Sequence, residues 1–241
     1  MLDWLRRSPR EVPSLTIAGR KLPVIIRRLP QSKRLTLRLA PDGSEIRIAM
    51  PRWARDEEAL AFARSREEWL AEQLARHGEA TPIAHGATLP FRGVAHTLHH
   101  APDAPRRVKA GDGTLHLGGP AQSLAPRLQR WLMAEARTLF ALDLAFYCAR
   151  AGLAAPPLAL SSAKARWGSC SAQGMVRLNW RLVMAPDAVR RSVVAHEVAH
   201  LVHFNHSPAF HALLADLFEG EVEAANHWLK RHGRSLYAHF G

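Results

Sequence analysis

Cysteine is scarce in this 241-residue chain: Cys148 and Cys170 are the only two, and neither belongs to a Cys-x-x-Cys pair. Two cysteines cannot supply a disulfide framework or a thiolate zinc site, so both read as reduced thiols packed in or near a core. Long apolar runs are missing as well. No stretch approaches the roughly 18 to 20 apolar residues that cross a bilayer, and the opening MLDWLRRSPREVPS has basic residues but no apolar segment before a cleavage site. These features lead us to expect a cytoplasmic protein with no membrane partner. The sequence presents no internal repeat, no low-complexity tract, no zinc finger, no helix-turn-helix signature and no aromatic stacking platform.

Acidic residues are outnumbered, 21 Asp plus Glu against 33 Lys plus Arg, for a formal charge of +12. The imbalance is concentrated in residues 1–55, where thirteen basic side chains, among them Arg27, Arg28, Lys33, Arg34 and Arg38, face four acidic ones. Such an excess attracts polyanions, so nucleic acid is one partner class to expect for this region; an arginine-rich solvated surface is the other meaning of the same charge. The apolar share, 47%, is that of an ordinary globular protein, and the length suffices for one large domain or two small ones.

The first hundred residues alternate in the manner of strands. VIIRRL (24–29) and RLTLRLA (34–40) are followed by PDGSEIRIAMP (41–51), where Asp42-Gly43 between two alternating runs predicts a hairpin and Pro51 a strand end. From Asp56 to His77 the period becomes helical, with Leu60, Ala63, Trp69 and Leu74 on related turns and Gly78 as the stop. Short strands are expected again at 88–91, 94–100, 106–110 and 114–117. Gly118-Gly119-Pro120 then divides a β-rich basic part, 1–120, from a mainly helical part, 121–241. In the latter, Ser123 is placed to cap a helix reaching Arg150, with Gly152 beyond its end. A short strand at 158–161 and one strand over 175–184 follow. Helices start at Pro186-Asp187 and Ser207-Pro208, and a last one covers 221–233. The fold class is therefore α+β.

Chemistry concentrates in HEVAHLVHFNH (196–206). His196 and His200 are four apart and share one helix face, so their ring nitrogens can meet on one zinc ion. Glu197 projects to the side, within reach of a proton on a water held by that ion, which is the physical content of His-Glu-x-x-His. A catalytic zinc takes three protein ligands and leaves a position open. His203 would stack in line with the other two, a poor arrangement for a tetrahedral ion. His206 lies where Pro208 forces the chain to turn and can approach from another direction; His211, Glu219 and Glu223 are the competing third ligands. Arg166, His203 and Tyr147 are candidates for oxyanion or substrate contacts, and Asp216 for orienting a ligand histidine.

Three blocks carry a resemblance to a known family: Arg166-Trp167-Gly168-Ser169-Cys170, then Leu178-Asn179-Trp180-Arg181-Leu182, then the histidine motif through Asn205-His206-Ser207-Pro208-Ala209-Phe210. Together they resemble the YgjP-like metallopeptidases, zincin-fold proteins related to the SprT group. The resemblance implies a zincin-like core with an active-site helix and an edge strand, one zinc per chain, and the histidine of the NHSP turn, His206, as third ligand. It also implies hydrolysis of peptide bonds by a zinc-bound water that Glu197 activates, on a polypeptide held extended beside strand 175–183. The relation to SprT-type proteins offers a second reading, a metalloprotein acting on DNA-bound proteins. A non-proteolytic metal-dependent hydrolase is a third.

Overall fold

A computed structural model describes residues 12–40, 43–75 and 82–240. Contacts divide the chain into two compact units, Met1–Gly78 and Glu79–Gly241.

The first unit is a four-stranded sheet with two helices. Strands β1 (Ser14–Ile17), β2 (Arg20–Arg28), β3 (Thr36–Leu39) and β4 (Ile46–Met50) lie in the order β1-β2-β4-β3. β1 and β2 are antiparallel, β2 and β4 parallel, β3 and β4 antiparallel. The expected hairpin therefore exists as β3–β4; Asp42 of its turn lies outside the described residues. Alternation sends Leu22, Val24, Ile46, Ile48 and Met50 to one face. Two helices, α1 (Asp56–Arg64) and α2 (Glu67–Ala75), cover that face with Ala59, Ala63, Leu70 and Leu74.

The single helix expected from Asp56 to His77 is thus two. The Ser65 hydroxyl donates to the carbonyl of Phe62, and the amide of Arg66 bonds only three residues back, to Ala63. That tightened turn ends α1. The break also shifts the helical phase: Leu70 enters the core, while Trp69, expected on the buried stripe, is 40% exposed. The expected stop at Gly78 falls outside the described residues.

The second unit opens with another four-stranded sheet, β5 (Thr88–Phe91), β6 (Val94–Ala101), β7 (Lys109–Gly111) and β8 (Thr114–Gly118), in the order β5-β6-β8-β7. Its pairings are antiparallel, parallel and antiparallel, as in the first sheet. A repeated topology is therefore present where the sequence presents no repeat. Both leading hairpins turn on two left-handed residues, Ala18-Gly19 (φ 46° and 78°) and Arg92-Gly93 (φ 53° and 78°). Topology of this kind depends on alternation and turn geometry, which very different side chains satisfy.

Leu89, Leu98, Leu115 and Leu117 from this sheet share one core with the helices that follow. The Gly118-Gly119-Pro120 break is consequently interior to the second unit. Beyond it come α3 (Leu124–Arg150), a three-stranded sheet of β9 (Leu158–Ser161), β10 (Gly168–Cys170) and β11 (Val176–Asn179), then α4 (Asp187–Val202), α5 (Pro208–Leu217) and α6 (Val222–His232). Gly152, at φ 69°, closes α3 as expected, while the Ser123 hydroxyl donates to the Pro120 carbonyl rather than capping the helix. Architecture is mixed α+β, strands leading and helices following. Among the described residues no helix is long and apolar enough to cross a membrane.

Two departures bear on the site. The strand expected over 175–184 ends at Asn179, and Trp180–Met184 form a 3-10 helix. Asn179 is responsible: its side-chain oxygen accepts from the amide of Arg181, turning the chain, and its Nδ2 donates to the carbonyl of Ala163. The turn buries Trp180, Leu182, Val183 and Met184 together. Moreover, the sheet order is β10-β11-β9, with β11 antiparallel to β10 and parallel to β9. Both sides of β11 are taken, so strand 175–183 cannot receive a substrate strand as expected. Among the described residues, the strand with an open side next to α4 is β10.

Candidate metal centre

Helix α4 is fixed at its start. The amides of Arg92 and Gly93 donate to the carbonyls of Val183 and Met184, just ahead of Pro186. Gly93 is required there, because a Cβ would fall 2.7 Å from the Cα of Pro186. Arg92 pairs with Asp187 in the first turn. One turn on, buried Arg190 donates through Nε to Asp143 of α3 at 2.7 Å and also contacts Asp187. Opposite charges within a few ångströms hold the Asp187 carboxyl below its ordinary range, against the burial that would raise it.

His196 and His200 lie one turn apart on this anchored helix, as the spacing requires. The helix ends at Val202, and His203 takes an extended conformation at φ −125°, ψ 105°. His203 thus leaves the helix before it could stack in line, and its contribution is a backbone one. Its carbonyl receives Nδ1–H of His200 at 3.0 Å, fixing that ring with Nε2 as the free lone pair. The chain then turns through Asn205 into α5, whose first turn is capped by the Ser207 hydroxyl accepting from the amide of Phe210. This returns His206 toward α4.

His196, His200 and His206 are the one group of three or more metal-competent side chains brought together among the described residues, each with a ligand atom within 4.8 Å of the others. Nε2 of His196 lies 3.1 Å from Nε2 of His200 and 3.3 Å from Nε2 of His206. Nitrogens bound tetrahedrally to one zinc at roughly 2.0 to 2.1 Å stand about 3.4 Å apart, so the triad fits that ion. Burial, assisted by the neighbouring His200, His206 and His211, lowers the His196 pKa to about 4, which leaves its ring neutral and able to ligate near pH 7. The sequence did not single out Phe210, which is fully buried with its ring centroid 5.0, 4.6 and 4.8 Å from those of His196, His200 and His206. It supports all three rings from one side, and its place at the end of the NHSPAF block was the available signal.

Glu197 is 5% exposed, and its buried Oε2 has no hydrogen-bond partner among the described residues. Burial pushes its pKa up to about 7, against the lowering effect of the Arg166 charge. Gly168 of β10 lies against it: a Cβ there would come within 2.8 Å of both Cγ and Cδ of Glu197 and closer still to Oε1. Glycine at 168 therefore makes room for the carboxylate, a role for the Arg-Trp-Gly-Ser-Cys block that spacing alone does not disclose.

The other candidates are spread out. Arg166 is exposed but near enough for its charge to act on Glu197. Tyr147 is fully buried in α3, and its hydroxyl donates to Glu219 at 2.9 Å. Glu219 also pairs with Arg191, so neither is directed to the triad. His211 has its ring 6.3 Å from that of His206, Glu223 is an exposed residue on α6, and the carbonyl of Asp216 accepts from Arg150. In the basic N-terminal part, Arg28 pairs with Asp56 and Arg47 with Glu45, so some of the charge excess is neutralised locally.

A search of curated proteins gives no match, and a search of solved structures gives none. A family model, described as YgjP-like, metallopeptidase domain, matches residues 33–232. That span includes β3 through α6, with the triad, Glu197 and Gly168 inside it, and on this ground the chain belongs to the YgjP-like metallopeptidase family.

Proposed function

We propose that the protein is a zinc metallopeptidase in which His196, His200 and His206 hold the ion and Glu197 moves the proton. The observation that carries this is the pairing of three converging imidazole nitrogens with a buried carboxylate one residue along the same helix, whose Oε2 has no partner among the described residues. Zinc, when bound, supplies Lewis acidity: it lowers the pKa of a coordinated water and polarises a carbonyl.

The rest is the chain's own work. Glu197 accepts a proton from the attacking water as its oxygen adds to the scissile carbonyl carbon. The carboxylic acid so formed passes the proton to the amide nitrogen as the carbon–nitrogen bond breaks, and Glu197 is a carboxylate again. A base poised near pH 7 serves both transfers. Arg166 is the cation whose field reaches this carboxylate, and it offers positive charge to the developing oxyanion. The substrate lies extended on the open side of β10, held by main-chain hydrogen bonds that read little side-chain identity. That edge runs past Glu197 at Gly168.

The test is metal content and peptide hydrolysis together. Elemental analysis should find one zinc per chain, and Glu197→Gln should keep the metal while losing hydrolysis. Hydrolysis that persists in that variant, or a protein that takes no zinc on reconstitution, overturns the proposal.

A further inference from the structure

Beside Glu197 the second unit contains a cavity of about 220 Å³. Three elements bound it: Trp167 next to β10, Val193 on α4, and Val222, Asn226 and Leu229 on α6. Small-molecule sites run from about 300 to 1,000 Å³, so this one is sized for a single side chain. Its walls are mostly apolar, and its ionisable lining groups are His196 and Glu197, both already committed to the metal centre. A charged side chain entering it would lose its hydration without gaining a partner of its own.

The position of Glu197 says which substrate residue the cavity faces. The carboxyl group delivers its proton to the leaving amine, so the residue bearing that amine lies on the Glu197 side of the scissile bond. Glu197 lines the cavity. We infer that this cavity is the specificity pocket for the residue just after the scissile bond, and that it selects a neutral aliphatic side chain of about leucine size. The inference rests on the peptidase reading and adds the substrate class to it. Trp167 forms a fixed wall: its ring lies 5.8 Å from that of Tyr237, and a Cβ on Gly233 would strike it at 2.8 Å. The C-terminal 3-10 helix Gly233–Tyr237 therefore sets the width of the pocket from behind.

Two parallel measurements test it on the zinc-loaded full chain, wild type, Val222→Phe to fill the pocket and Val222→Ala to enlarge it. The first is kcat/KM on peptides differing only after the scissile bond. Leucine should exceed glycine by at least about tenfold, with aspartate and lysine poorest. Val222→Phe should bring the leucine-to-glycine ratio to about 1 while glycine peptides are still cut, and Val222→Ala should move the preference towards phenylalanine. The second is calorimetric affinity for small hydroxamates carrying the same side chains beside the chelating group. A leucine-to-glycine ratio that Val222→Phe leaves unchanged in both measurements overturns the pocket and leaves the peptidase standing. Graded hydroxamate affinities that flatten in Val222→Phe, with no peptide cut by any form, overturn the peptidase and with it the placement after a scissile bond, and leave an aliphatic side-chain site beside the metal centre. Hydroxamates bound without grading in the wild type, or not bound at all, overturn the pocket.

Discussion

Replacing Glu197 by glutamine should make the metal-free protein more stable in alkali, although it removes the group proposed to move the proton. In the fold this carboxylate is 5% exposed and one of its oxygens has no partner among the described residues. Burial raises its pKa from 4.5 to about 7. A folded-state pKa above the unfolded one gives a contribution fully present below about pH 4.5 and lost as pH rises through about 7. At about 1.4 kcal/mol for each tenfold change in proton affinity, the whole loss is about 3 kcal/mol by pH 8.5. Glutamine cannot ionise and does not incur it. His196 works in the opposite sense: its pKa is lowered to about 4, so its contribution is present above 6.5 and lost as pH falls through 4. Because both proteins carry His196, that effect cancels in their difference. Urea unfolding with a chelator present, at pH 4.5 and 8.5, measures the difference, and hydrogen exchange across α4 assigns the transition to the second unit. The expected result is a Gln-minus-Glu stability difference that grows by about 3 kcal/mol between those pH values. A difference that does not change with pH would refute the claim that the carboxylate is buried without compensation.

Metal content should separate the two histidines of α5 and its approach: His206→Ala should lose most of its zinc, while His211→Ala should keep about one ion per chain, by elemental analysis. Gly168→Ala should keep its zinc but lose on the order of 100-fold in kcat, because the added methyl displaces Glu197. Asp143→Ala should lower the unfolding free energy by about 1 to 3 kcal/mol in a denaturant titration, since it removes the Nε partner of buried Arg190 and leaves Asp187 as its remaining acidic contact. Arg166→Ala should fold and bind zinc as before, with kcat reduced roughly 10- to 1,000-fold; an unchanged kcat would remove Arg166 from the oxyanion role.

The local parts of this protein could be read from its sequence. His196 and His200 at spacing four, with Glu197 between them, specify one helix face and one kind of chemistry, because helical geometry is fixed by the backbone. Pro208 after Ser207 specifies a turn and a new helix, which is why His206 could be selected over a histidine in line with the other two. The β3–β4 hairpin, the start of α4 and the glycine after α3 were legible for the same reason: each is decided within a few residues.

What the sequence could not disclose is what depends on distant partners. Whether β11 has an open edge is a matter of which strands flank it, and β9 and β10 take both sides, so among the described residues the open edge next to α4 belongs to β10. Asn179 ends that strand because it meets Ala163 and its own turn, not because of any local breaker. Gly168 is one residue of the Arg166–Cys170 block until the fold sets it against Glu197, twenty-nine residues on. The raised pKa of Glu197 likewise comes from burial that only packing creates. Sequence determined which side chains come together, His196, Glu197 and His200 on one helix and His206 after one turn, since their spacing is a property of that helix and that turn. Tertiary structure alone decided the edge strand, the room for the carboxylate and the pocket beside it, because each is a distance between elements that the order of residues does not encode.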